Sequence, residues 1–236
     1  EGSPEFTKKR GHEMSQFFPV PQHQEVYDDD LKRKLIHGYY ASISYMDTQL
    51  GKVMDELKRL ELDENTIIVL WGDHGWHLGD HAIWTKHTNF EQANHIPLIF
   101  KVPGVTKSGS ATNQFAESVD VYPTLANLAG LEHPEGPQPI DGIDLTPVLK
   151  DGSSEIKDHA YHAFPMGGYL GEAIRTEQYR LIRWTPMREN GKEVLYELYD
   201  YENDPKETKN IAEEKPNLVS KITEILEQYP EAKKRL

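Results

Sequence analysis

The chain has 236 residues, of which 37% are hydrophobic, including 12 Tyr, 7 Phe and 4 Trp, a composition too aromatic for a disordered protein. With 39 acidic and 26 basic residues the net charge is −13, which argues against sequence-independent binding of nucleic acid. No apolar run approaches the roughly 20 residues that span a bilayer. Because cysteine is absent, disulfides, thiolate metal sites and a cysteine nucleophile within this chain are excluded.

Residues 1–26 are predicted to form a polar, extended surface segment, because they contain prolines and show no periodic apolar pattern. Positions 1–6 include Gly2-Ser3-Pro4-Glu5-Phe6, which resembles a translated cloning site and is equally compatible with native sequence. This segment is therefore left out of the expected core.

A long amphipathic helix is predicted over residues 28–60. Its apolar side chains recur at spacings of three and four, which is typical of one buried helix face: Leu31, Leu35, Tyr39, Ile43, Met46, Leu50, Val53, Leu57 and Leu60. A turn and the apolar run 66–71 follow, and they indicate a strand buried on both faces. Helix, turn and buried strand together favour a unit of a parallel α/β sheet.

The remaining elements are short. A second strand is predicted at 97–102, and a helix at 121–129 that Asp120 would cap. After residue 151 the pattern changes to strands at 159–164, 172–175, 179–184 and 193–200. An amphipathic helix at 217–228 places Leu218, Ile222 and Leu226 on one stripe. We therefore expect an α/β portion at 27–150 and a small α+β portion at 151–236.

The residues able to carry chemistry concentrate behind the predicted strand at 66–71. Five of the 11 histidines and three of the four tryptophans fall between positions 71 and 95. Ligands of open α/β sheets bind beyond the carboxyl ends of strands, where Asp73 and His74 stand. Their oxygen and nitrogen could share one divalent cation. The structural alternative is that Asp73 caps a turn and His74 donates to a backbone carbonyl.

Lys86 is the only cationic residue between positions 71 and 87, so it is either an anion ligand or a solvated surface lysine. Trp76 fits core packing or a platform for a sugar ring. The roles open to His77, His81 and His87 are anion donor, acid or surface residue, and spacing alone does not rank them.

These motifs carry a resemblance to a known family. Gly72-Asp73-His74-Gly75-Trp76-His77-Leu78-Gly79-Asp80-His81, followed by Trp84-Thr85-Lys86, resembles the second half of the type I sulfatase active site, most closely in the iduronate-2-sulfatase-like branch. The similarity continues in order through the segments 94–104, 118–125, 141–145 and 197–205, and upstream at 40–47. It covers about residues 30–210.

The resemblance implies an α/β fold that forms part of an alkaline-phosphatase-like sandwich, with a small C-terminal antiparallel sheet plus helix subdomain. It implies one divalent metal ion, usually calcium, for which Asp73 and His74 match ligand positions. Calcium prefers oxygen ligands, so the nitrogen of His74 leaves the ion's identity open. Lys86 matches the lysine that contacts the sulfate and is the expected catalytic residue. The expected substrate-binding residues are Trp76, His77, His81 and His87.

The nucleophile of the family is a formylglycine made from the first residue of a Cys/Ser-x-Pro/Ala-x-Arg motif, and no residue of this chain begins that motif. The paired N-terminal aspartates of the family are also missing. We therefore expect the C-terminal half of a sulfatase, inactive alone, whose partner is an N-terminal half that is a separate chain or was removed.

The expected substrate of the complete enzyme is a sulfated carbohydrate, such as the 2-O-sulfated uronate of a glycosaminoglycan. Two alternatives remain: a metal-dependent phosphoesterase of the same superfamily, and a non-catalytic sugar-binding remnant. No nucleic-acid partner and no membrane span are expected. The resemblance favours a periplasmic or extracellular bacterial protein.

Overall fold

The computed structural model describes residues 1–8, 13–17, 20, 27–134, 136–188 and 192–230. In this part of the chain the helices are α1 (Asp29–Arg59), α2 (Glu91–Asn94), α3 (Val121–Leu128), α4 (Thr146–Lys150) and α5 (Pro216–Leu226). The strands are β1 (Ile68–Trp71), β2 (Leu98–Lys101), β3 (His159–Met166), β4 (Tyr169–Thr176), β5 (Tyr179–Pro186) and β6 (Leu195–Asp200). None of these helices combines the length and apolar character needed to cross a membrane.

Helix α1 confirms the predicted long helix but not its buried face. Its N-terminus is capped by Asp28, whose carboxylate accepts a 2.8 Å hydrogen bond from the Leu31 amide. No residue of α1 is buried, and Tyr45 and Val53 are 70% and 58% exposed. The predicted apolar stripe is therefore present. Leu31 and Leu35 at its start pack against the cluster around Trp84, whereas Ile43, Met46 and Val53 further along lack a covering layer within the described residues.

Strands β1 and β2 form a two-stranded antiparallel ribbon, with Ile68 opposite Lys101 and Trp71 opposite Leu98. The sequence favours a unit of a parallel sheet, whereas these two strands pair antiparallel with each other. The chain between the two strands forms a long loop, whose ends are joined by a 3.0 Å hydrogen bond from the Gly72 amide to the Pro97 carbonyl. Strand β2 therefore begins beside the end of β1 and runs in the opposite direction. Burial on both faces is also not found, because Trp71 is 48% exposed. We call α1, β1 and β2 the α1–ribbon region.

Strands β3 to β6 form an antiparallel meander in sequence order, which we call the C-terminal sheet. The four strand predictions and the final helix prediction are confirmed. One face of the sheet packs on α5 around side chains that exclude water almost completely: Ile174, Leu181, Leu198, Ile222 and Leu226. The other face covers the segment behind β1 through Ile83, Phe90, Ala173, Ile182, Trp184 and Tyr199.

The beginning of the chain is packed rather than extended on the surface. The Phe6 ring stacks on Tyr169 at 4.6 Å and meets the edge of Trp184 at 5.1 Å. Met14 and Val20 are buried beside Trp84. The prediction of a purely polar surface segment is therefore wrong for these residues, because isolated apolar side chains pack on the C-terminal sheet or beside Trp84 without any periodic signal.

Asp120 does not cap α3 with its side chain. Its buried carboxylate instead accepts from the amides of Glu117 and Ile143, at 2.7 and 2.9 Å, and pairs with Lys157 at 2.6 Å. A buried carboxylate needs such partners, so Asp120 joins three segments instead of one helix end.

Candidate active site

The segment behind β1 is held against the segment before β2 by backbone hydrogen bonds. In addition to the bond from Gly72, the Gly75 amide donates to the Ala93 carbonyl at 2.8 Å. A side chain at Gly75 would collide with the Gln92 carbonyl, so the close approach of the two segments requires glycine. This approach fixes the backbone that carries Asp73 and His74.

The side chains of Asp73 and His74 lie close to each other. The Asp73 Oδ2 and His74 Nε2 atoms are 3.7 Å apart. Two ligands at about 2.3–2.6 Å from one ion and roughly at right angles lie about 3.3–3.7 Å apart, so this pair fits one divalent cation. The His74 Nδ1 lies 2.8 Å from the Gly75 carbonyl and donates to it, which leaves the lone pair on Nε2 for a metal.

The pair does not complete a coordination sphere. The Asp73 carboxylate is 88% exposed and the His74 side chain 33% exposed, so further ligands have access. Among the described residues there is no group of three or more His, Cys, Asp or Glu side chains that could hold a metal ion. The remaining ligands of such an ion would come from outside these residues.

Lys86 lies on the same side of the molecule as this pair. Its Nζ is 5.7 Å from the centre of the Trp76 ring, and that ring is 6.2 Å from the His74 ring. The ammonium is also 3.8 Å from a carboxylate oxygen of Glu13, and the side chain is 28% exposed. The structure therefore links Asp73, His74, Trp76 and Lys86 through successive neighbours, and we call this set of residues the row.

His87 borders this row. Its Nδ1 is 3.6 Å from the second oxygen of Glu13, and its ring stacks on Phe164 of β3 at 5.7 Å. The side chain is 53% exposed and remains available to a ligand.

His77 lies in the interior instead. Its side chain has no exposed surface, its Nδ1 binds the Asp80 carboxylate, and its Nε2 is 2.7 Å from the Thr88 hydroxyl. Burial alone would raise the pKa of Asp80, but the hydrogen bond with His77 holds that pKa below its usual range. The substrate-binding role predicted for His77 does not fit this position, because both ring nitrogens already have partners.

The His81 ring stacks on Phe90 at 4.2 Å. Its backbone is left-handed, with a φ of 52°, and its buried Nε2 has no hydrogen-bond partner among the described residues. Burial lowers the pKa of its imidazole, so a neutral ring is favoured. The substrate-binding role of His81 stays a prediction.

One set of residues near the site could not be recognised in the sequence. Arg180 on β5 is buried and binds Glu91, the Glu207 carboxylate at 2.8 Å and the Asn89 carbonyl at 3.1 Å. These partners lie about 90 residues before it and 27 after it in the chain. The only available signal was an arginine next to the apolar pair Leu181 and Ile182 in a predicted strand.

Comparisons with known proteins identify the relatives of this chain. The family model described as "Sulfatase" matches residues 6–131, and the one described as "N-sulphoglucosamine sulphohydrolase, C-terminal" matches residues 79–234. Iduronate 2-sulfatase of Homo sapiens is 36% identical over 166 residues, which cover 60% of this chain and 30% of that protein. N-acetylglucosamine-6-O-sulfatase of Bacteroides thetaiotaomicron is 28% identical, covering 84% of this chain and 36% of that protein.

Solved structures show the same relationship. A protein in complex with its substrate D-glucosamine-2-N,6-O-disulfate has a TM-score of 0.70 and 30% identity, covering 80% of this chain and 39% of that one. The phosphonate monoester hydrolase of Agrobacterium radiobacter also has a TM-score of 0.70, at 26% identity, covering 80% of this chain and 40% of that one. The fold is thus the alkaline-phosphatase-like fold of sulfatases. The chain spans about a third of the length of the curated relatives it matches.

Proposed function

The chain belongs to the sulfatase family, and from that membership we propose that it supplies the C-terminal half of an enzyme that hydrolyses sulfate esters on sugars. The observation that carries the proposal is the row of Asp73, His74, Trp76 and Lys86, with 3.7 Å between the two candidate metal ligands. Such a row offers two cation ligands and one ammonium on one surface, which is part of what a sulfate group requires.

The residues of the row have separate tasks in this proposal. Asp73 and His74 hold one divalent ion, with calcium as the first candidate. When bound, this ion supplies Lewis-acid stabilisation of the sulfate oxygens. Lys86 neutralises negative charge on the same group. The electrostatic stabilisation that its ammonium provides increases as water leaves the pocket. The nucleophile is a formylglycine of the N-terminal half, so the present chain alone is expected to be inactive.

We propose that the N-terminal half covers the α1–ribbon region. The exposed large apolar side chains of this region are Tyr40, Ile43, Tyr45, Met46, Val53, Leu60, Trp71 and Ile99, each between 42% and 70% exposed. An apolar surface of this kind marks an interface. The relatives are about three times longer than the aligned part of this chain, so they contain enough sequence to form the covering layer.

Sulfated uronic acids of glycosaminoglycans are the proposed substrate class. The 36% identity with an iduronate 2-sulfatase supports 2-O-sulfate, whereas other relatives are named for N-acetylglucosamine 6-O-sulfate and for choline sulfate. Trp76 offers a ring beside Lys86 on which a sugar could stack. The position of the sulfate is the most specific statement of the proposal, because the loops that determine substrate specificity vary between relatives.

The test is co-expression of this chain with an N-terminal half that contains the Cys/Ser-x-Pro/Ala-x-Arg motif, together with an enzyme that generates formylglycine. The purified complex is assayed with a 2-O-sulfated uronate disaccharide, a 6-O-sulfated glucosamine, an aryl sulfate and an aryl phosphate. We expect release of sulfate by the complex and none by either half. Turnover of the phosphate in preference to every sulfate would favour the phosphoesterase alternative, and a stable complex without any turnover would favour the sugar-binding remnant.

A further inference from the structure

The loop that carries Lys86 is closed by a single buried residue. The amide of His77 donates to the Thr85 carbonyl at 2.7 Å, on one side of Lys86. The imidazole Nε2 of His77 lies 2.7 Å from the Thr88 hydroxyl, on the other side. We infer that His77 is a positioning residue that holds the Lys86 loop in place for the sulfate. This inference rests on the function proposed above.

The ring of His77 is itself fixed. Its Nδ1 binds Asp80, and a carboxylate only accepts hydrogen bonds, so the Nδ1 proton points to Asp80. The Nε2 atom lies 2.7 Å from the Thr88 hydroxyl, and the oxygen of that hydroxyl accepts from the Phe90 amide at 3.3 Å. Each donor and acceptor along this line has one defined partner, which gives Thr88 one preferred orientation.

The order Asp80, His77, Thr88 is also that of a catalytic acid–base–nucleophile triad, but burial argues against that use. His77 has no exposed surface and Thr88 is 4% exposed. A nucleophile must reach its substrate. The same three groups therefore act here as a support and not as reacting groups.

Lys86 depends on such a support because its own side-chain contacts are long. The contacts described for its ammonium are Glu13 at 3.8 Å and the Trp76 ring at 5.7 Å. Neither contact has hydrogen-bond length, so the position of the ammonium follows from the position of the backbone at residues 85–88. Displacement of a positioned group by about 1 Å can cost roughly 100-fold in rate.

The experiment uses the complete enzyme with Thr88→Val, which keeps the volume of the side chain and removes the hydroxyl. We expect kcat to fall about 10- to 100-fold. Thr88→Ser restores the hydroxyl and should restore most of the turnover. The matched control is Thr124→Val, because Thr124 is equally buried and its hydroxyl also has two partners, the Asp120 carbonyl at 2.6 Å and the Leu145 amide at 2.8 Å. The control should lose stability but keep its kcat.

A double variant separates positioning from general destabilisation. If His77 and Thr88 act through Lys86, Thr88→Val added to Lys86→Ala should reduce kcat no further. Full turnover by Thr88→Val, or losses that multiply in the double variant, would overturn the inference while the proposed function stands. Full turnover by Lys86→Ala alone would remove the role of the lysine itself, and with it both proposals for this loop.

Discussion

The α1–ribbon region and the C-terminal sheet contain similar apolar side chains but bury them very differently. In α1 no residue is buried and Tyr45 is 70% exposed, whereas Ile174, Leu181 and Leu198 in the sheet are 0% exposed. The sheet has both a helix and the segment behind β1 to cover its faces. The candidate site lies between the two regions, with the proposed metal ligands Asp73 and His74 next to the α1–ribbon region and with His77 and Thr88 next to the C-terminal sheet. The candidate site residues therefore lie at the border between the well-covered and the uncovered part of the chain.

The largest expected effect is on the complete side. Trp184→Ala removes a ring that is 1% exposed and leaves Glu197 without a 2.7 Å hydrogen bond, so the free energy of unfolding should fall by about 3–5 kcal/mol. Tyr45→Ala on α1 should change it by less than about 0.5 kcal/mol in the same chain. Urea unfolding of both variants measures the contrast, and equal losses would contradict it. The loss in the free energy of unfolding for Trp184→Phe should lie between the losses for these two variants.

Activity should respond most at the boundary between the regions. Lys86→Ala in the complete enzyme is expected to lower kcat about 100- to 1,000-fold, equivalent to roughly 3–4 kcal/mol, because a preorganised charge in a partly dry site is lost. Lys86→Arg should recover only part of this, since a planar guanidinium does not replace a compact ammonium. Lys209→Ala is the control, because Lys209 lies outside the α1–ribbon region and pairs with Glu214 at 2.6 Å on the surface. Unchanged kinetics of Lys86→Ala would indicate an ordinary surface lysine.

The junction between Thr88 and the sheet predicts a pH dependence. Burial, and the nearby charge of Arg180, lower the pKa of His162 to about 4, against a hydrogen bond with the Thr88 backbone. The unfolded chain therefore binds a proton between pH 6.5 and 4 that the folded chain does not, and stability should rise with pH through this window. One histidine accounts for up to about 3 kcal/mol.

His162→Gln isolates this contribution, because the variant lacks the titrating group and should show a flatter stability profile between pH 4 and 6.5. Chemical unfolding at several pH values gives the two profiles. Identical slopes would show that the fall in stability comes from other groups.

The smallest expected effect is on α1 in the chain alone. Ile43→Ser and Val53→Ser should change the free energy of unfolding by less than about 0.5 kcal/mol, since these side chains are already 42% and 58% exposed. The same changes should cost about 1–3 kcal/mol in the complex with the N-terminal half, where the surface would be covered. Titrations with the N-terminal half measure the affinity of the original chain and of each variant. Equal affinities would contradict a covering partner on this face.

Local elements could be predicted from the sequence, and relations between distant elements could not. The helix over 28–60 and the four late strands follow from period and turn residues, which are local properties. The antiparallel pairing of β1 with β2, the packing of Phe6 and the buried position of Asp120 depend on segments far apart in sequence. Periodicity also reports that α1 has an apolar face, but it carries no information on whether another chain covers it.

The candidate site divides in the same way. The position of Asp73 and His74 after a strand, and the resemblance that includes Lys86, identified the exposed row. Burial separates His77 from that row, although the histidines at 77, 81 and 87 look alike in the sequence. The ion pairs of Arg180 with Glu91 and Glu207 could be recognised only from the structure, because no sequence feature near Arg180 indicates its partners.

The packing of the first residues against the C-terminal sheet has a consequence for the order of events during synthesis. The hydroxyls of Ser3 and Tyr199 are 2.8 Å apart in space and 196 positions apart in the chain. At about 5–20 residues per second, a ribosome completes that interval in roughly 10–40 s. During this time Phe6 has no Tyr169 and no Trp184 on which to dock, and it stays accessible to chaperones. The beginning of this chain is made first and reaches its final position among the last.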